Sequence, residues 1–273
     1  MSHKFGRLPR EFDPRIPHLS AIFAGKLRPR PPQSRHWGSR MPADLGVMLN
    51  DKLLNCTCAA FYHALQVWSF NAAGKLAAKM VTGSDTNVTQ LYTLACGYDP
   101  KRPGEGPGGK GQHVLRYLFN HGAPVGQRRR NKILAYIEID PRQIDDVRRA
   151  INDCGLVYVG FNAPQYLGPQ NRHLPKVWDV DPADRKIIGG HAVVLPGYDE
   201  QTVDVISWGR FYKMTWRFFS KYVEEVYAIA DPAWIAATGK TPGGLSPKEL
   251  ERQMQALREV GAKRKPEPQM NAD

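Results

Sequence analysis

The chain has 273 residues and a mass of 30.7 kDa, enough for one large domain or for two fused lobes around a cleft. Its 42% hydrophobic and 10% aromatic content excludes a disordered chain, and no apolar run approaches the length needed to cross a bilayer. The net charge of +12 is unevenly placed, because residues 1–45 carry nine basic groups against three acidic ones.

That stretch is rich in proline and arginine, densest at Arg28-Pro29-Arg30-Pro31-Pro32, and is expected to run extended over the surface. It carries no aromatic-interleaved basic motif, so it reads as a solubilising arm, with an acidic partner as the alternative and nucleic acid not expected. The start, MSHKFGRLPREF, lacks the apolar core of a secretory signal. Four scattered cysteines (Cys56, Cys58, Cys96 and Cys154) do not form a disulfide framework. Free thiols in a cytoplasmic protein are the expectation, with no membrane partner.

From Asn55, placed to cap, the spacing of Ala59, Phe61, Ala64, Leu65, Trp68 and Phe70 predicts a helix of about four turns. Thr86 to Ala95 reads as a second helix capped by Thr86 or Asn87. A Gly- and Pro-dense loop follows, Asp99 to Gly111. It ends in a stretch that nearly matches a phosphate-binding loop but lacks the Ser or Thr after lysine and a preceding strand, so it reads as a surface loop. Gln112 to His121 reads as a third helix stopped by Gly122. Arg128-Arg129-Arg130 is an exposed basic turn.

Strand character takes over at Ile133 to Ile139 and returns at Leu156 to Phe161, His191 to Leu195, Val203 to Trp208 and Val226 to Ala230, with a helix over Ile144 to Asp153. Helices first and strands later predict an α+β fold, a helical lobe packed on a mainly antiparallel sheet. Ser246-Pro247-Lys248-Glu249 signals a last helix, stopped by Gly261 and followed by a polar tail. The domain reading is a basic extension over 1–45, one α+β domain over 46–231, and a helix with tail over 232–273.

Cys56 opens an apolar helix and His191, 135 positions later, opens an apolar strand. A thiol becomes a nucleophile only as thiolate, and the first turn of a helix together with a nearby imidazole favours that charge. Cys58, two positions on, faces another side of the helix and reads as a packing or guarding thiol. His63 lies two turns deeper than Cys56 and reads as a core histidine. Cys96 and Cys154 read as packing residues, and no further ligands accompany Cys56 and Cys58 for a metal.

The order of these pieces resembles the papain-like (clan CA, C1-type) cysteine peptidases, closest to compact bacterial and phage-borne members. The resemblance rests on Asn50 to Cys56, Gly111 to Leu118 with Gly122, Ile144 to Phe161, His191-Ala192-Val193 with Gly197-Tyr198, and Ser207-Trp208-Gly209, and spans about residues 37–231. It implies a two-lobe fold with Cys56 as nucleophile, His191 as general base and acid, and Asn50 as oxyanion donor with the Cys56 N–H. Asn50 is one methylene shorter than the family's glutamine, and Leu54 and Asn55 replace small residues before the nucleophile. Ile206 stands where the family has the asparagine that orients the histidine, which leaves Ser207 and Asp204 as substitutes. Trp208 stands where the family shields that pair from water.

The implied activity is hydrolysis of an amide, in the first place a peptide bond, through a thioester acyl-enzyme with no cofactor and no metal. The substrate is then a polypeptide or a cell-wall peptide. The rival readings are a cell-wall amide hydrolase and a weak or inactive papain-like structural or binding module, for instance in a phage particle.

Overall fold

The computed structural model describes residues 3–13, 16, 18, 19, 30–102, 104–126, 128–171, 173–239, 246, 248 and 252. Helix α1 (Cys56–Ala72) runs through the middle of the molecule, with every residue from Cys56 to Phe70 buried. A helix apolar on all sides has no solvent face, and α1 is surrounded accordingly. Its buried polar side chains find partners: His63 Nδ1 and Gln66 Oε1 are 2.8 Å apart, and Gln66 Nε2 donates to the Leu45 carbonyl and to Thr82 Oγ1.

Helices α2 (Asp85–Cys96) and α3 (Gly111–Asn120) complete the helical side. The cap of α2 is Ser84 rather than Thr86 or Asn87. Its Oγ accepts from the Asn87 N–H while Asn87 Oδ1 accepts from the Ser84 N–H, a reciprocal capping box. Asn55 does not cap α1 through its side chain either, for its Nδ2 donates to the Met48 carbonyl at 3.0 Å.

The strands are β1 (Arg35–His36), β2 (Ala123–Pro124), β3 (Arg130–Asn131), β4 (Ala135–Ile139), β5 (Val157–Pro164), β6 (Val177–Trp178), β7 (Ile187–Tyr198), β8 (Thr202–Ser207), β9 (Arg210–Thr215) and β10 (Val223–Ala230). Strands β2 and β3 pair with each other, so Arg130 of the expected basic turn sits in a small ribbon. The large sheet has the order β4-β10-β5-β7-β8-β9-β6, antiparallel except for β6 on β9, with β1 added to β7. The fold is α+β, and β9 was not evident from the sequence.

Each face of the sheet carries a core. Ala192, Val194, Ile206, Tyr158 and Tyr227 pack toward α1, α2 and α3. Val193, Leu195, Val203, Val205 and Phe161 pack on the other side against α4 (Ile144–Cys154) and α5 (Trp216–Tyr222). This period-2 division decides which strand residues reach the candidate site. Beyond β10, α6 (Pro232–Thr238) is capped by Asp231, and Trp234 packs edge-on to Trp37. The expected helix from Ser246 lies mostly outside the described residues.

Candidate active site

Cys56 stands at the first position of α1, and β7 passes in front of it. The backbone N–H of Gly6 donates to its sulfur at 3.4 Å. His191, the residue before Ala192, is 1% exposed. Its Nε2 lies 2.8 Å from Ser207 Oγ, and its Nδ1 has no hydrogen-bond partner among the described residues. The Trp208 ring stacks on the imidazole with centroids 4.4 Å apart and planes at 15°.

Strand parity explains why Ser207 is the residue on His191. Residues 203, 205 and 207 share a face with 191, 193 and 195, whereas 204 and 206 point the other way. Ile206 is therefore core, registered against Val194. Asp204 is not brought to the site: it lies 2.6 Å from His36 Nδ1 and 3.0 Å from Lys213 Nζ.

Trp208 and Gly209 form the two-residue turn between β8 and β9, with φ of 48° and 74°. Positive φ at both central positions is the geometry of a tight hairpin, and a bulky residue adopts it only when its surroundings hold it there. Here the stack on His191 does so. Glycine is required next, because a Cβ at Gly209 would lie 2.5 Å from the Gly46 carbonyl oxygen.

The cleft between α1 and β7 is filled by the chain's own residues 3–8, which corrects the expectation of a surface arm. The Lys4 N–H donates to the Asn50 carbonyl, Arg7 N–H to Gly190, Leu8 N–H to Gly109, and Gly109 N–H to Gly6. Asn50, 2% exposed, turns its side-chain Nδ2 toward the carbonyls of Leu53 (3.2 Å) and Lys4 (3.4 Å). Its amide thus already faces a peptide carbonyl. A Cβ on Gly6 would stand 1.9 Å from the Leu54 oxygen, one on Gly108 2.6 Å from the Gly6 oxygen, and one on Gly190 2.3 Å from the Arg7 oxygen. Glycines on both walls let the segment lie this deep. The Gly108-Gly109 end of the glycine-rich stretch is buried cleft wall, not surface loop.

Burial sets the charge state. The Cys56 thiol is pushed up to about 11 by desolvation, only partly offset by the Ala192 and Gly6 N–H groups. His191 is held well below its ordinary value, first by desolvation and then by repulsion from His3 and Arg7. Both groups are neutral while the segment is in place. His63 is lowered to about 4 by burial and stays with Gln66, so it is a core histidine away from the thiol. Cys58 Sγ lies 4.0 Å from Cys96 Sγ, and Cys154 is pushed up to about 12 by burial. Among the described residues no cluster of three or more His, Cys, Asp or Glu is placed to hold a metal ion.

Arg7 was missed as a site residue. Its guanidinium meets Glu225 Oε1 at 3.2 Å, Glu224 Oε2 at 2.8 Å and Asn162 Oδ1 at 2.9 Å. On the other flank of the thiol, a cavity of about 350 Å³ opens beside His3, Trp208 and Tyr212, with His173, Lys176 and Arg210 on its wall.

A cysteine at the start of a buried helix, packed on an antiparallel sheet whose central strand carries a histidine, is the papain-like arrangement, and this chain has the papain-like cysteine protease fold. Its structure resembles xylellain, a cysteine protease from Xylella fastidiosa, with a TM-score of 0.59 at 16% identity over 84% of this chain and 97% of that one. It also resembles proCathepsin B S9 from Trypanosoma congolense (TM-score 0.52, 12% identity, 84% of this chain and 86% of that one). Procathepsin L 3 from the larval midgut of Tenebrio molitor matches with TM-score 0.52 and 12% identity, over 84% of this chain and 76% of that one. The sequence matches no protein-family model and no curated protein. No helix among the described residues is long and apolar enough to cross a membrane.

Proposed function

We propose that this protein is a cysteine peptidase held latent by its own residues 3–8. The observation that carries the reading is the meeting of α1 and β7: a backbone N–H, that of Gly6, donates to the Cys56 sulfur at the helix start, while His191 on β7 bonds Ser207 through Nε2 and keeps Nδ1 uncommitted. An imidazole fixed at one nitrogen with the other free is what a base serving a thiol needs.

With the segment withdrawn, water reaches the cleft and the desolvation that keeps both groups neutral is relieved. Cys56 then transfers its proton to His191 and attacks the carbonyl carbon of a peptide. The oxyanion is held by the Asn50 Nδ2–H and the Cys56 backbone N–H at the positive end of α1. His191 returns the proton to the leaving amine, leaving a thioester on Cys56. A water deprotonated by His191 then releases the acid and restores the thiol. Ser207 acts only through His191, as a positioning residue. Replacing it lowers kcat by less than replacing Cys56 or His191 does, as for other members of catalytic sets that touch only the base.

The test is site-resolved labelling of the full chain with a peptidyl epoxide, followed by peptide-pool digestion. Fast labelling at Cys56 that collapses in His191→Ala is expected, with products from peptides. Labelling of Cys56 as slow as that of Cys58 and indifferent to His191→Ala, in a chain whose segment is displaced, would sink the enzyme reading. Release from cell-wall fragments but not from peptides would change the substrate.

A further inference from the structure

We infer that the slot now filled by Arg7 is an arginine-binding subsite for substrate, so that this enzyme selects peptides carrying arginine beside the bond it cleaves; this rests on the function proposed above. Arg7 follows Gly6, whose N–H touches the Cys56 sulfur, and its own N–H is held by the carbonyl of Gly190, next to His191. A side chain entering this slot is therefore within one or two residues of the reacting carbonyl.

The slot belongs to the body of the protein and is shaped for a guanidinium. Glu225 and Glu224 lie on β10, while Asn162 and Gly160 lie on the neighbouring β5. Three acceptors from three residues converge on the two Nη atoms, and the arginine side chain is 1% exposed. A planar fork satisfies such a set, whereas a lysine ammonium reaches it only as a point charge. The carboxylate is itself fixed from behind, since the Tyr227 hydroxyl donates to Glu225 Oε2 at 3.0 Å. Asn162 Nδ2 likewise donates to Glu224 Oε1 at 2.5 Å.

The wall leaves room only because Gly160 has no side chain. A Cβ there would lie 2.5 Å from Arg7 Cδ and 2.2 Å from Glu225 Oε1. When the segment leaves, Glu225 remains a buried carboxylate without its cation, and an arriving arginine relieves that cost as a leucine cannot.

The experiment uses the full chain with Gly6→Val, so that the segment is displaced, and a matched set of peptidyl vinyl sulfones with arginine, lysine or leucine beside the electrophile. Cys56 labelling is expected to be at least about tenfold faster for arginine than for leucine, the scale of one charge-assisted hydrogen bond, with lysine between them. Adding Glu225→Gln should erase that preference. Glu224→Gln, at the more exposed rim, should reduce it by less and serves if Glu225→Gln does not fold. Equal rates for arginine and leucine, or an arginine preference untouched by both substitutions, overturn the subsite while leaving the peptidase reading intact.

If no probe reacts, the peptidase reading fails and the subsite is judged by binding instead. The free hexapeptide of residues 3–8 and its arginine-to-leucine counterpart are titrated onto a Gly6→Val, Cys56→Ser chain by calorimetry. Tighter binding of the arginine peptide supports the slot, and equal affinity rejects it.

Discussion

The two flanks of Cys56 hold the same short peptide by different physics. On one side Arg7 is locked into a slot with two carboxylates and an amide oxygen, and the backbone on either side of it is hydrogen-bonded to Gly109 and Gly190. On the other side His3 leans on Trp208 with ring centroids 4.5 Å apart, next to a cavity whose lining contains His173, Lys176 and Arg210 and no acidic side chain. The first flank is complementary in charge and shape. The second is a ring contact beside a wall that carries Lys176 and Arg210. The segment is therefore fastened at Arg7 and only laid down at His3, and release is expected to begin at the His3 end.

The largest expected effect comes from forcing the middle of the segment out. Gly6→Val has no space against the Leu54 carbonyl, so the thiol regains solvent. Labelling of Cys56 at pH 7 should rise by about a hundredfold as the thiol falls from its buried value toward the ordinary cysteine range. Unchanged labelling would show that residues 3–8 are not what silences it.

Next comes Arg7→Ala, which leaves Glu225 buried without its partner. Breaking such a pair costs about 3–5 kcal/mol, and the double substitution with Glu225→Gln should recover part of it. Protease nicking between residues 3 and 13 measures the hold, and additivity of the two substitutions would break the claim that they form one unit.

Acid gives a smaller effect. His3 and His191 both have pKa values lowered by burial, so the closed cleft favours their neutral forms. A base depressed in the closed state contributes full stability above its ordinary pKa and loses it as pH falls. Opening, read by amide exchange at residues 4–8, should therefore increase as pH drops below about 6.5. Glu225 is raised by burial and titrates in the opposite sense, so the decisive comparison is with His3→Phe, which should show a shallower rise. The smallest effect is expected for Lys4→Ala. Its ion pair with Glu105 is partly open to solvent on the lysine and exposed on the glutamate, and its loss should change the hold by less than about 1 kcal/mol.

Much of this was legible in the sequence. The spacing of apolar residues after Cys56 foretold a helix of about four turns, though not its burial on all sides, and the valine-rich run after His191 foretold a strand, though not its central place. The choice among Ile206, Ser207 and Asp204 was also decidable, because alternation along β8 puts only Ser207 in phase with His191 once the two strands pair. What stayed hidden lies in pairings with no local pattern. Arg7 and Glu225 are 218 positions apart, and neither segment's periodicity announces the other. A proline- and arginine-rich start reads as a solvated arm unless its partners are known. The glycines at 108 and 109 read as loop punctuation because glycine marks a flexible turn and a close backbone approach with the same letter. Ser84 was overlooked as the cap of α2 because its partner Asn87 was itself a credible cap.

The glycine walls around residues 3–8 also set a kinetic condition on any substrate. Because the segment is tethered to the cleft it fills, it competes at an effective concentration of about millimolar, whatever the amount of protein present. Dilution does not unlock this molecule, and a weakly binding peptide does not displace the segment at ordinary concentrations. If the protein is the peptidase proposed above, an internal opening step governs its turnover, and initial rates should saturate at a value independent of which good substrate is supplied.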